Sequence, residues 1–291
     1  MSAVNEAADY LFVGPHPDDI ELFAGGLAAL RAAAGDRVVL VDLTAGELAS
    51  NGTVEQRAAE AAAAAAVLGA AARVNLALPD GGLNGMDAAQ VGRLMEVIRQ
   101  WRPRFVVAPW SVERHPDHEQ AHALVRRAVF MAGLAKFGEG APHRVKEVLW
   151  YPMRFEAAPR ILVDISSVME TKYAAIVCHG SQVAPMDRGG RPPVAPTTLT
   201  EGDGDGGRAP VAPTGGTEAG VLAVATLVGS ARNLEVLRAR DAYWGGVAGS
   251  QAAEPYVTDR VPVTTDPALC FGGSGGDGDV YVFAAGSRGE A

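Results

Sequence analysis

The chain is poor in cysteine, in aromatic residues and in basic charge, and each shortage removes a class of protein. Of its 291 residues only two are cysteine, Cys178 and Cys270. Two thiols build neither a disulfide framework nor a cysteine-rich zinc site, and such usage fits a reducing, cytoplasmic setting. Lys and Arg number 25 against 34 Asp and Glu, a formal charge of −9. The basic footprint of a nucleic-acid binder is therefore missing. No apolar run reaches the roughly 20 residues of a membrane helix. Met1 to Tyr10 lacks the basic segment and apolar core of a secretion signal, so neither export nor a membrane is expected.

What is present is globular: 48% apolar residues and 20% charged. The first half alternates short apolar runs with helical stretches. Strands are expected at Tyr10–Gly14, Arg37–Thr44, Arg73–Leu78 and Arg104–Trp110. Helices are expected at Glu21–Ala34, Val54–Leu68, Asp87–Trp101 and Glu119–Leu134. This alternation predicts βαβ units, hence an α/β fold with a Rossmann-like, mostly parallel sheet and helices on both faces. Farther on, Lys146–Tyr151, Arg160–Ile165 and Val280–Ala284 read as strands, and Val168–Cys178 and Asn233–Trp244 as helices. Residues 185–220 are rich in Gly and Pro and read as a solvated insertion loop. Residues 272–291 read as a Gly-rich tail. One domain over 1–291 is expected, with its core at about 9–182 and 221–271.

The histidines and aspartates concentrate in two places. His16, Asp18 and Asp19 stand in Pro15-His16-Pro17-Asp18-Asp19, directly after the first strand. His115, Asp117 and His118 stand in Arg114-His115-Pro116-Asp117-His118, directly after the strand that ends near Trp110. Loops at the carboxyl ends of parallel strands converge on one crevice. Imidazole and carboxylate suit zinc, and a catalytic zinc takes three protein ligands and keeps a position for water. A further carboxylate can take the water's proton, and a further histidine can protonate a leaving group. A competing motif is His118-Glu119-Gln120-Ala121-His122, which matches the H-E-x-x-H of zinc proteases. That reading leaves Asp18 and Asp19 unexplained, so His122 is expected to pack locally. His143 is expected to be structural, and Cys178 a small packed side chain. The first strand is not followed by a G-x-G-x-x-G turn, which disfavours a dinucleotide site.

These motifs resemble the PIG-L/LmbE-type zinc-dependent N-acetylglucosaminyl deacetylases, whose pattern is HPDD, then a Gly-Gly turn (here Gly25-Gly26), then HPDH. The branch most similar is the bacillithiol-pathway deacetylases of N-acetylglucosaminyl-malate. The stretches Asp42–Glu47, Ser50–Thr53 with Arg57, Asn75–Gly81, Cys178–Gln182 and Ala253–Tyr256 carry that likeness. The resemblance implies an LmbE-like fold. It implies His16, Asp19 and His118 as zinc ligands; two imidazoles and a carboxylate also suit ferrous iron. It implies Asp18 as base, His115 as acid or oxyanion donor, and Asp117 as the residue orienting His115. Glu47 and Asp80 would hold sugar hydroxyls, Arg57 and Arg114 would grip the malate, and His179 would line the pocket or cap a helix. The implied partner is a small N-acetylated sugar conjugate, and the implied assembly a homo-oligomer such as a hexamer. Ala45, Gly180, Val183 and the long 185–220 loop depart from the branch, and these departures bear on the substrate. Other acyl substrates are an aminoglycoside or glycopeptide intermediate, a chito-oligosaccharide or a thiol conjugate. A non-catalytic sugar-binding protein is the alternative of another class.

Overall fold

Strand β1 (Tyr10–Gly14) sends Leu11 and Val13 to one side of the sheet and Phe12 to the other. Strand β2 (Val38–Thr44) repeats this, with Val39, Val41 and Leu43 opposite Val38 and Leu40. Side chains alternate along a strand, so a run that is apolar at every position must be covered on both faces. The remaining strands are β3 (Ala72–Leu78), β4 (Phe105–Pro109), β5 (Glu147–Tyr151), β6 (Ile161–Asp164), β7 (Ala253–Thr258) and β8 (Val280–Val282). They form one sheet in the order β3-β2-β1-β4-β5-β7-β6-β8. β1 to β5 are mutually parallel, whereas β7 pairs antiparallel with β5 and β6, and β8 antiparallel with β6. The computed structural model describes residues 7–153, 157–183, 231–260 and 280–282. The expected 185–220 loop, the 272–279 and 283–291 parts of the tail, and Cys270 lie outside them.

Seven helices are described: α1 (Asp19–Ala33), α2 (Val54–Leu68), α3 (Ala88–Trp101), α4 (Pro116–Ala132), α5 (Met169–Cys178), α6 (Gly180–Val183) and α7 (Ala231–Ala248). α1, α2 and α5 pack on the Phe12 side, and α3 and α4 on the Leu11 side. Their ends follow local chemistry. Thr53 caps α2 by accepting from the Gln56 N–H, and Gly69 ends it in the left-handed conformation at φ 74°. Asp87 caps α3 by accepting from the N–H groups of Ala89 and Gln90.

Three features differ from expectation. Helix α4 starts at Pro116, not at Glu119, because Pro suits a first helical position and His115 caps it. Gly25-Gly26 form no turn but lie inside α1. A Cβ at Gly26 would fall 2.7 Å from Ile165 and 2.9 Å from the Glu254 carboxylate, so glycine there permits a close approach. Strand β7 was not expected, since Pro255 argues against a strand. The β5 ladder reaches only Val257 and Thr258, so β7 is single-sided at Pro255, as at a sheet edge where proline is tolerated.

Candidate active site

The strand order reverses between β1 and β4, which are neighbours. A crevice opens at the carboxyl ends of strands at such a switch point. HPDD leaves β1 and HPDH leaves β4, so both motifs meet there. A cleft of about 450 Å³ is lined by His16, Asp18, Asp19, Asp80, His115 and His118, with Arg57, Arg114 and Gln182 nearby on its wall. Asp19 opens α1 and Pro116 opens α4, so two helix N-termini adjoin the cleft. Their partial positive charge favours anions and developing oxyanions.

Three donor atoms form a tight triangle. His16 Nδ1 lies 3.2 Å from Asp19 Oδ2, His118 Nε2 lies 3.4 Å from the same oxygen, and the two nitrogens are 3.3 Å apart. A tetrahedral ion with bonds of about 2.0–2.1 Å spaces its ligands about 3.3–3.4 Å apart. The triangle therefore has the edge lengths of a zinc ligand set. A proton between any two of these atoms leaves the third unsatisfied, whereas a cation satisfies all three. Asp19 is further fixed by the His16 N–H, which donates to Oδ2 at 3.0 Å. The outer nitrogen of His16, Nε2, is held by Asp80 at 3.1 Å and Asp117 at 3.3 Å. Such carboxylate partners orient a ligating imidazole and raise its basicity.

The electrostatics agree. Burial opposes charge on His16, but the carboxylates of Asp117, Asp19 and Asp80 outweigh it and lift the imidazole to about 12. The site is thus strongly cation-seeking. Asp18 is pushed up to about 6, first by burial and then by repulsion from Asp19, against the pull of Arg57, His179 and His16. Asp19 is buried too, yet His118 and His16 hold it well below the usual carboxylate range. Two adjacent carboxylates therefore sit on opposite sides of their ordinary value. His115 is pushed down by burial and by the nearby His118 and His16. Its Nδ1 accepts the Asp117 backbone N–H at 3.3 Å, which puts the N–H of the neutral ring on Nε2.

The other expected site residues are placed variously. The Asp117 carboxylate does not bond to His115. It accepts from the N–H groups of Gly81 and Leu83 and meets His16, so its link to His115 runs through the main chain. Asp80 lines the cleft, while Glu47 is exposed outside it and accepts from the Asp80 N–H at 2.8 Å. Arg114 is exposed at the cleft. Arg57 touches the cleft but is 4% exposed, its guanidinium turned onto main-chain carbonyls. His179 does not line the cleft. It is the C-cap of α5, fully buried, with Nε2 3.4 Å from Glu21. His122 Nδ1 lies 3.1 Å from the Pro109 carbonyl and its ring packs on Trp110 and Trp150, so it is no partner of His118 in a metal set. His143 Nε2 lies 2.7 Å from the Pro103 carbonyl, and Cys178 is a free, partly buried thiol.

Beneath the cleft lies a buried network the sequence did not announce. Arg73 donates to both Asp42 oxygens at 2.8 Å and also to Glu21. Glu21 is drawn down to about 2 because Arg73 and His179 outweigh its burial. Arg73 sits in β3 opposite Leu40, and Asp42 stands two residues farther along the fully buried strand β2. Gln182 was quoted only as part of a stretch. It reaches the cleft because α6 turns back toward Asn51, whose carbonyl accepts from its Nε2 at 2.8 Å.

Two histidines and a carboxylate at ligand spacing, with a second carboxylate beside them, are the kind of centre that metal-dependent hydrolases use. The family profile described as PIG-L, GlcNAc-PI de-N-acetylase, matches residues 11–129, which contain both motifs. The chain is 33% identical over 195 residues to the diacetylchitobiose deacetylase of Thermococcus kodakarensis, covering 61% of this chain and 71% of that one. It is 33% identical over 187 residues to a 1D-myo-inositol 2-acetamido-2-deoxy-alpha-D-glucopyranoside deacetylase of Streptomyces griseus, covering 51% and 56%. A conserved protein of Thermus thermophilus superposes with a TM-score of 0.71 at 35% identity, over 89% of this chain and 98% of that one. The chain belongs to the PIG-L family of de-N-acetylases, and its fold is LmbE-like.

Proposed function

We propose that this chain is a metal-dependent N-deacetylase that releases acetate from an N-acetylglucosamine conjugate. The observation that carries the reading is the triangle of His16, Asp19 and His118 with Asp18 beside it. Zinc is the metal of choice for two imidazoles and a carboxylate, and ferrous iron accepts the same donors. When bound, such an ion lowers the pKa of a water and polarises the amide carbonyl. The remaining work falls to side chains. Asp18 would take the proton of the attacking water, helped by a carboxyl whose affinity for protons burial has raised. His115 would donate a hydrogen bond through Nε2–H to the carbonyl oxygen, and the proton that Asp18 took from the water would pass to the departing nitrogen. Asp80 and Asp117 would keep His16 in its tautomer, and the main-chain N–H of Asp117 would keep His115 in its own.

For the aglycone we propose a neutral sugar or polyol. Two relatives are named for an inositol conjugate and for diacetylchitobiose. Of the two arginines at the cleft, Arg57 already meets protein carbonyls through both terminal nitrogens. A dicarboxylate such as malate would then meet one exposed arginine, Arg114. Arg114 is the observation favouring the N-acetylglucosaminyl-malate of the bacillithiol branch as the second reading. Both readings keep one domain, from the strand–helix alternation, a cytoplasmic setting, from the cysteine usage, and a homo-oligomer, from the family resemblance alone; among the described residues no helix is long and apolar enough to cross a membrane. The test is to incubate zinc-loaded protein with diacetylchitobiose, N-acetylglucosaminyl-inositol and N-acetylglucosaminyl-malate and to quantify free amine. Release from the neutral conjugates at higher kcat/KM supports the first reading, and a preference for malate supports the second. A folded, zinc-bound protein that frees no amine from any of them rules out both.

A further inference from the structure

We propose that Glu60, which lies outside the cleft, is a positioning residue: through Ser181 it sets the orientation of the Gln182 amide and holds the cleft wall formed by the loop between β2 and α2. The kinetic consequence of this rests on the deacetylase reading, and the structural one does not. Glu60 is half-buried on α2 and does not line the cleft. Its Oε1 accepts from the Ser181 N–H at 2.8 Å, and its Oε2 accepts from the Ser181 hydroxyl at 2.6 Å. Gln56, one turn earlier on α2, donates to Oε1 at 3.2 Å. Both donors of Ser181 are thus committed to one carboxylate.

The polarity of these bonds passes outward from Glu60. A carboxylate accepts and does not donate. With its hydrogen on Glu60, the Ser181 oxygen can only accept from its other neighbour. That neighbour is the Gln182 amide at 3.0 Å, which must therefore present Nε2. The second hydrogen of Nε2 goes to the Asn51 carbonyl at 2.8 Å, again an acceptor only. Gln182 lines the cleft, and its Oε1 has no partner among the described residues. The amide can therefore offer a sugar hydroxyl an acceptor and no donor. The same contacts hold the loop. Gly52 has φ +75°, and a Cβ there would fall 2.7 Å from Ser181 Oγ, so glycine lets the loop lie against Ser181. At the loop's other end the Leu48 N–H donates to Asp80 at 2.8 Å. Between these ties Ala49 and Ser50 form part of the cleft wall.

The test uses the full-length zinc-loaded protein with Glu60→Gln and Ser181→Ala. Glu60→Gln keeps the size of the side chain and can still accept from the Ser181 N–H. Its own NH2 group would face the Ser181 hydroxyl, turn that hydrogen toward Gln182 and bring two donors together there. On diacetylchitobiose and on N-acetylglucosaminyl-malate, KM should rise about 3–10-fold, the scale of one neutral hydrogen bond, with kcat within about twofold of the wild type. Zinc affinity, measured by chelator competition, should not change. Ser181→Ala deletes the hydroxyl and keeps the N–H bond, so it should show the same split and serves if Glu60→Gln does not fold. Amide hydrogen exchange across residues 48–53 should quicken in both variants. An unchanged KM in the folded variants would overturn the proposal, even with a fall in thermal stability. So would a joint loss of kcat and zinc, which would tie the network to the metal centre instead. If the wild type frees no amine, the deacetylase reading has failed. Faster exchange across 48–53 would then still support the hold on the loop, and unaltered exchange there would overturn it as well.

Discussion

Helix α1 touches two buried charge clusters, one at its first residue and one at its middle, and they are built in opposite ways. At its start, Asp18, Asp19, Asp80 and Asp117 crowd around His16, and Nδ1 of His16, Oδ2 of Asp19 and Nε2 of His118 face one another across 3.2–3.4 Å. At its middle, Lys172 Nζ bonds to Asp241 at 2.6 Å and to Glu254 at 3.0 Å, all three side chains being fully buried. The Glu254 oxygens also accept from the N–H groups of Gly26 and Leu27 and from the Tyr256 hydroxyl, while the Tyr173 hydroxyl donates to Asp241. The second cluster nearly closes on itself, with a donor for almost every acceptor. The first gathers four carboxylates around two imidazoles, an excess of negative charge that a bound cation would offset. A buried polar cluster that is satisfied tells of a specified fold, and one left short of a counter-charge tells of a ligand.

Substitutions should separate the two by what they change. The largest effect is expected at the open cluster. Asp18→Asn should lower turnover by about 10²–10⁴-fold while bound zinc, measured by elemental analysis, stays at wild-type stoichiometry. Full activity in that variant would remove Asp18 as the base and weaken the contrast at its root. At the closed cluster, Lys172→Met leaves two carboxylates without their cation and should cost about 3–5 kcal/mol in denaturant unfolding. The turnover of the protein that remains folded should be unchanged. A loss of turnover at full stability would mean that the second cluster also serves chemistry. A smaller loss is expected for Gly26→Ala, about 1–3 kcal/mol, because its Cβ would press on Ile165 and on Glu254.

The two clusters were not equally legible in the sequence. HPDD and HPDH are local, and their placement after apolar runs predicted the meeting that the sheet order produces. The closed cluster joins Lys172, Asp241 and Glu254 from three distant segments, and no spacing rule connects them. Pro255 hid the strand that delivers Glu254. Arg57 was half legible. It shares the buried stripe of α2 with Ala61, Ala64 and Leu68, a face that the run of alanines around it does not mark in the sequence. Which atoms it meets depends on the loops after β1 and β2, and their approach is a tertiary fact. His179 illustrates the same limit, since its sequence neighbourhood matched a cleft stretch while its ring turned inward to Glu21.

The smallest effect concerns His122, which lies on the opposite face of the sheet from the closed cluster and tests whether charge chemistry is confined to the cleft. Its imidazole is held below its ordinary value of 6.5, first by burial and then by Arg126, against the raising effect of the Pro109 carbonyl. The folded state therefore keeps this ring neutral where the unfolded chain has begun to protonate. Between its depressed value and 6.5 the unfolded state binds more protons, so stability rises with pH. The contribution is fully present above pH 6.5 and is lost as the pH falls below it. His122→Phe, which keeps a ring between Trp110 and Trp150, should flatten that part of the stability–pH curve in urea unfolding, with turnover on an N-acetylglucosamine conjugate unaltered. A collapse of turnover or of zinc binding in this variant would instead revive the H-E-x-x-H pairing with His118 and move the centre of the chemistry away from HPDD.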